Sequence, residues 1–300
     1  MWEALKLLKK GYGRKEIKKK TNISDWRLAT LYTIREQAIP EALILLLSDL
    51  HFGSNDLHED FEEIFLNNLK QVLNNTYSFK NIKEVYIFEL GDIIDNILHS
   101  QQREVNENLS KALSKARSFL RSILELVEPD YYYYIEGNHD RATKDLTIKH
   151  YYNDFLYEIL KEEFKETKFI KLEGIVSILG WNIFASHGTT LRTLTGEVSP
   201  LSISRKTFNI MSLYLRYSND KAIIPEIFFF GHLHKMAYIN TGYQMIFING
   251  TSHQKQFHTS NYKIESLAQF LLSLPPKSFC INKDGILRPT MGNPTMVWCI

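Results

Sequence analysis

The chain has 300 residues and 35.1 kDa, of which 44% are hydrophobic and 23% charged, with 14 glycines and 8 prolines. This balance excludes a disordered, collagen-like or low-complexity protein. The longest apolar run, Ala42–Leu47, falls far short of the roughly 20 residues that span a bilayer. The net charge of +2 hides an asymmetry: residues 1–40 carry ten Lys/Arg against four Asp/Glu, a net of +6, which leaves 26 against 30, a net of −4, for the rest.

A basic arm on a mildly acidic body suggests one part that meets a polyanion and another with a separate task. A solvated lysine-rich face is the plainer alternative. The opening MWEALKLLKKGYGRKEIKKK has no apolar core ahead of its lysines, so no secretory signal is expected. Cys280 and Cys299 form neither a disulfide framework nor a metal-binding pair and read as reduced thiols. The expected compartment is the cytoplasm.

Along the chain, Trp2, Leu5 and Leu8 share one face of a short helix, and Gly11 and Gly13 interrupt before Arg14–Lys20 resumes. After the turn Thr21-Asn22-Ile23, Ser24 can cap a helix through Gln37 with apolar positions at Leu28, Leu31 and Ile34. Pro40 stops that helix, which divides the chain into a helical segment, 1–40, and a body, 41–300. From there strand-length apolar runs alternate with helical patterns, the grammar of a layered α/β domain. Strands are expected at Ala42–Leu47, Val85–Leu90, Tyr131–Ile135, Trp181–Ala185, Ile227–Phe230 and Tyr243–Ile248. Helices are expected at Phe61–Leu73, Val105–Leu126, Tyr151–Phe164, Arg205–Tyr217 and Ile264–Ser273. Most of the strand runs are continuously apolar, which implies burial on both faces.

Five of these strands end in polar strings with metal-ligand character. They are Ser48-Asp49-Leu50-His51, Gly91-Asp92-Ile93-Ile94-Asp95, Gly137-Asn138-His139-Asp140, Ser186-His187-Gly188 and Gly231-His232-Leu233-His234. Carboxyl ends of strands joined by crossover helices converge on one crevice, so the five strings can pool their side chains. The pool is two aspartates, one asparagine and four histidines, oxygen and nitrogen donors without a thiolate. That set suits Mn²⁺, Fe or Zn²⁺. Seven donors exceed one tetrahedral ion and serve two ions if one carboxylate bridges. There is no G-x-S-x-G elbow, P-loop or G-x-G-x-x-G string to support a competing scheme.

The order of these strings resembles the calcineurin-like metallophosphoesterases over roughly residues 42–250. The resemblance implies a four-layer αββα sandwich, with the helical 1–40 segment as an appendage, and a dinuclear site that hydrolyses phosphoesters with a metal-activated water. It implies that Asp49, His51 and His234 hold one metal, that Asn138, His187 and His232 hold the other, and that Asp92 bridges them. His139 would assist the leaving group or steady the charged oxygens, with Asp140 orienting it from behind and Asp95 supporting. Two divalent transition-metal ions are the expected cofactors, Mn foremost. The other histidines, 58, 99, 150, 253 and 258, lie outside the pattern and read as ordinary residues.

Two features lean towards nucleic acid as substrate or tether. Between His187 and Gly231, Arg192, Arg205, Lys206, Arg216 and Lys221 interleave with Phe208, Tyr214 and Tyr217; cations can track a backbone while aromatics stack on bases. A capping helix with core aromatics is the alternative. The arm's Arg14–Ser24 stretch and the helix after it resemble helix-turn-helix segments, which would put Trp26, Arg27 and Thr30 on the reading helix and Lys19 on phosphate. Lys18 departs from that pattern, standing where a small residue usually lets two helices cross. The expectation is a phosphodiesterase or nuclease acting on DNA or another nucleic acid. A phosphatase or small-nucleotide phosphodiesterase with an incidental basic arm is one alternative, and a DNA-tethered scaffold with a vestigial site is another.

Overall fold

A computed structural model describes residues 1–54, 57, 60–75, 80–95, 108–142, 151–172, 174–191, 199–217, 223–252, 269–281, 287–290 and 295–299. Arg192, Lys221 and histidines 58, 99, 150, 253 and 258 lie outside those residues, as do the side chains of Arg216, Tyr217, Cys280 and Cys299.

Three helices open the chain: α1 (Trp2–Lys9), α2 (Arg14–Thr21) and α3 (Asp25–Gln37). The body runs β1 (Glu41–Leu47), α4 (Phe61–Asn75), β2 (Ile82–Glu89), α5 (Leu109–Val127), β3 (Tyr131–Tyr134), α6 (Tyr152–Glu163) and β4 (Lys168–Lys171). It continues with β5 (Gly174–Ile178), β6 (Trp181–Ser186), α7 (Pro200–Tyr217), β7 (Ile227–Phe230), β8 (Ala237–Asn240) and β9 (Met245–Ile248). Last come β10 (Gln269–Leu274), β11 (Ser278–Ile281), β12 (Leu287–Thr290) and β13 (Thr295–Cys299).

The strands form a six-stranded sheet, ordered β13-β10-β1-β2-β3-β4, a five-stranded sheet, ordered β5-β6-β7-β9-β8, and the hairpin β11-β12. The run β1 to β4 is parallel throughout; so are β6, β7 and β9. Strand periodicity then assembles the layers. In β1, Ala42, Ile44 and Leu46 face the second sheet, packing with Ile183, Phe229 and Phe247. The alternate residues Leu43, Leu45 and Leu47 face α4 and α5, meeting Phe65, Leu69 and Phe119. In β7 the same alternation puts Ile227 and Phe229 between the sheets and Phe228 and Phe230 beside Ile203 of α7. Helices, sheet, sheet and helix make four layers, the sandwich expected from the sequence.

One expected element is different. Residues 269–273, part of the expected helix Ile264–Ser273, form β10, which pairs antiparallel with β1 from Ala42↔Leu274 to Leu45↔Leu271. Leucine-rich QFLLSL suits a helix by propensity, but all six residues are buried between β1 and β13, and a short run of this kind takes its structure from its neighbours. The strands β4, β5, β8, β11, β12 and β13 are not among those expected from the sequence.

The arm sits at the end of the sheet where β1 to β4 begin. Trp2 is 1% exposed, and its indole N–H donates to the Leu126 carbonyl at 3.1 Å. The Lys6 and Lys9 ammonium groups reach Glu128 and Asp130 at 3.1 and 3.0 Å, and the Asn81 amide donates to the Ala38 carbonyl at 2.8 Å. Within the arm, Ile17, Ile23, Leu28 and Leu31 are buried. Asn22 takes φ 50° at the α2–α3 turn, and the Ser24 hydroxyl accepts from Arg27 N at 3.4 Å. Lys18 is exposed and pairs with Asp25 at 2.6 Å, so it does not obstruct the helix crossing.

Candidate metal centre

The five polar strings all follow the carboxyl ends of strands, at the opposite end of the sandwich from the arm. The structure brings their donors into the two expected groups, Asp49 with His51 and His234, and Asp92 with His187 and His232, and sets Asp95 and His139 beside His51 in a third. In each group the ligand atoms lie within 4.8 Å of one another. In the first, His51 Nε2 and His234 Nε2 approach to 3.1 Å, and Asp49 Oδ1 lies 3.3 Å from His234 Nε2. In the second, His187 Nε2 is the hub: Asp92 Oδ2 lies at 3.0 Å, Asn138 Oδ1 at 3.1 Å and His232 Nδ1 at 3.1 Å.

The backbone is bent to present these side chains. Asp49, His51, Asp92, His232 and His234 all hold φ between 46° and 68°, a region that non-glycine residues enter rarely and mostly where surrounding structure forces it. The forcing contacts are hydrogen bonds between strings: Asp49 N donates to the Gly91 carbonyl and His51 N to the Asp92 carbonyl, each at 3.0 Å. Gly91 and Gly137 permit the closest approach, since a Cβ on Gly91 would lie 2.6 Å from the Gly137 Cα and one on Gly137 would strike the Asp92 carboxylate. His187 Nδ1 donates to the Leu90 carbonyl at 2.7 Å, which fixes the tautomer and turns Nε2 to the other donors.

Buried carboxylates hold the loops from behind. Asp140 accepts from Asp92 N at 2.8 Å, Gly137 N at 3.0 Å and Ile94 N at 3.3 Å. Burial, with the Asp92 charge nearby, pushes its carboxyl up to about 7 against those hydrogen bonds. Asp95, not Asp140, meets His139: its carboxylate lies 2.8 Å from Nδ1. The family resemblance implied Asp140, but that carboxylate is turned to the backbone amides. His139 N donates to Asp92 Oδ1 at 2.7 Å, and its ring stands edge-on to His51 at 4.8 Å between centroids. Sequence reasoning also missed Glu89, which accepts from Gly91 N at 2.6 Å and from the Tyr157 hydroxyl, and a sixth polar string after β9. There the Thr251 hydroxyl donates to the Asp49 carbonyl at 2.9 Å, and Asn249 bonds Ser48 at 3.2 Å. The signal was available in Asn249-Gly250-Thr251-Ser252, polar residues directly after an apolar strand.

The donor set fits divalent cations. Asp92 is 1% exposed, and its Oδ2 faces His187 Nε2 at 3.0 Å. Burial opposes charge on Asp92, yet His187 and His139 hold its carboxyl well below the usual range. In return Asp92, against the effect of burial, lifts His187 up to about 10. Ionised carboxylates thus draw protons onto imidazoles that a bound cation would displace.

The residues singled out for nucleic acid lie elsewhere. Trp26 is 71% exposed, Arg27 and Lys19 are exposed, and Thr30 is half-buried with its hydroxyl on the Trp26 carbonyl at 3.0 Å. On α7, Phe208 and Arg205 are exposed, whereas Lys206 reaches the Thr190 carbonyl and Tyr214 packs edge-on to Phe184. No helix among the described residues is long and apolar enough to cross a membrane.

A family model for calcineurin-like phosphoesterases matches residues 42–236, which hold every donor above. Among solved structures, Vps29 from Cryptosporidium parvum is 14% identical, with 86% of this chain and 97% of that one covered and a TM-score of 0.42. Wild-type Vps29 from Entamoeba histolytica in complex with zinc is 12% identical, covering 86% and 99% at a TM-score of 0.40. An archaeal phosphodiesterase is 12% identical, covering 83% and 98% at 0.38. No curated protein matches the chain.

Proposed function

Because the chain belongs to the calcineurin-like phosphoesterase family, and is therefore a hydrolase acting on ester bonds, we propose that it is a dinuclear phosphodiesterase acting on nucleic acid, DNA foremost. Asp49, His51 and His234 would hold one divalent ion and Asn138, His187 and His232 the other, with Asp92 placed to serve both. Mn is the first candidate, with Fe or Zn able to substitute. When bound, such a pair of ions clamps a phosphate and activates water at neutral pH. The chain's own residues do the rest. Asp140 and Glu89 fix the Asp92 loop through its amides. Asp95 holds His139 by Nδ1, which leaves Nε2 to protonate the departing oxygen. The observation that carries the reading is the meeting of two buried N/O donor groups at one end of the sandwich, with the Asp92 carboxylate set among their imidazoles. The arm, with its net charge of +6, supports nucleic acid over a small phosphomonoester.

The test is turnover with Mn²⁺, with and without chelator, on single-stranded DNA, duplex DNA, RNA, cyclic nucleotides and phosphoprotein. The reading expects chelator-sensitive cleavage with DNA preferred. Preference for phosphoprotein or cyclic nucleotides would replace the substrate and keep the metal chemistry.

A further inference from the structure

Where the arm meets the body, at the pole away from the metal centre, the two leave a small cleft between them. Its walls include Leu8 and Lys9 of α1, Arg35 of α3, and Asn81, Ile82 and Lys83 at the start of β2, around a volume of about 170 Å³. Three cationic side chains from three elements thus line one space, and no acidic residue lines it among the described residues. Two of the three are fixed by protein groups. Asp130, which also accepts from Val85 N at 2.7 Å, holds the Lys9 ammonium at 3.0 Å. The Leu8 carbonyl accepts from a terminal Arg35 nitrogen at 2.8 Å, and the guanidinium fork has further N–H donors to offer. Lys83 is exposed and makes no ion pair or hydrogen bond among the described residues. Asp130 offsets Lys9, so the excess charge of the cleft is that of Arg35 and Lys83. Like charges gathered in this way repel unless an anion shares them.

From this convergence we propose that the cleft binds a phosphate group, free or on a small monoester, and that the bound anion ties the arm to the body. The cations come from α1, α3 and β2, three separate directions. That arrangement suits a tetrahedral oxyanion better than a planar carboxylate with its two oxygens. Size sets a limit as well. Water takes about 30 Å³ per molecule in the liquid, so the cleft has room for about six, enough for a phosphate and too little for a whole nucleotide. Leu8 and Ile82 add an apolar wall that asks for no hydrogen bond. The inference stands apart from the metal centre and from the identity of its substrate.

The experiment is calorimetry of the full-length chain with inorganic phosphate and with phenyl phosphate, at fixed ionic strength, as purified and again with a chelator. The same titrations are run on Lys83→Gln, Lys83→Arg, Arg35→Gln and Lys19→Gln. Lys83 has no partner to lose, so its variants keep the native packing, and Lys19, exposed on α2, controls for the arm's overall charge. The expected result is a phosphate site that survives the chelator. Lys83→Gln and Arg35→Gln should each weaken it by about tenfold, Lys83→Arg should restore it, and Lys19→Gln should leave it unchanged. Phosphate should also raise the urea midpoint of the unsubstituted chain more than that of Lys83→Gln. Absence of binding, or binding that Lys83→Gln and Arg35→Gln leave intact, would overturn the inference. So would binding lost to the chelator, which would belong to the metal centre, or a loss of equal size in Lys19→Gln, which would reflect only the charge of the arm. An equal midpoint rise in Lys83→Gln would be the general stabilisation that excluded phosphate gives folded proteins, and would overturn the tie between arm and body.

Discussion

His139 is held by three groups at once: its amide donates to Asp92, its ring meets Asp95, and its edge abuts His51. It contributes to none of the seven assigned donors, so His139→Ala should keep the metal content and lower turnover by about 10²–10⁴-fold. The loss should shrink with a nitrophenolate leaving group, and elemental analysis beside kcat on good and poor leaving groups checks both halves. Equal losses would assign His139 to charge stabilisation. Glu89 acts at one remove, through Gly91 N. Glu89→Ala should weaken metal affinity by about 10–100-fold, while Glu89→Gln, which keeps an acceptor for Gly91 N, should recover most of it; a metal titration of both variants decides. The donors themselves were legible because Asp, Asn and His beside glycine stand out after apolar runs. Their left-handed backbone was not, since it depends on hydrogen bonds from Asp49 and His51 to the loop after β2, far along the chain. Nor was Glu89, which looks like one polar residue in the run Val85–Leu90 until Tyr157, 68 residues later, is packed against it.

At the scale of elements, the helices of the arm followed from their caps and periodicity. Trp2, Leu5 and Leu8 form the buried stripe, and the turn at Asn22 has the residue type that tolerates φ 50°. The stripe joins the same core as Phe65, Phe119 and Leu124, so deleting the arm would uncover the body, and point substitutions are the sounder probe. Trp2→Ala should cost about 3–5 kcal/mol of stability, read as a shift of the urea midpoint, and should leave small-diester turnover intact in the folded fraction. A negligible shift would mean that the arm is not part of the core. The strands that escaped the sequence reading did so for different physical reasons. Edge strand β4, Lys168–Lys171, is mostly exposed, and a lysine-flanked edge lacks the apolar signal of a buried strand. The residues of β10 carry the signal but with helix-forming leucines, and only pairing with β1 settles which structure they take.

Over the whole molecule, two sheets face each other through Ile44, Phe88, Phe229 and Phe247, and both sheets send their strand ends to one pole. That convergence turns five separated strings into one site, and it leaves the opposite pole to the arm. A layered α/β domain was legible from the alternation of apolar runs and helical patterns, and the order of its layers from the family resemblance; the placement of the arm was not, because it depends on Trp2 and Lys6 finding Leu126 and Glu128. The central claim is a dinuclear centre bridged by Asp92. The measurement that tests it most directly is metal content per chain, by elemental analysis of the full-length protein and of Asp92→Asn, with phosphodiester turnover followed on the same samples. The claim predicts two divalent ions per active chain, and loss of metal from both groups together with turnover in the variant. One ion or none in an active preparation, or a variant that keeps both ions and full activity, would contradict it.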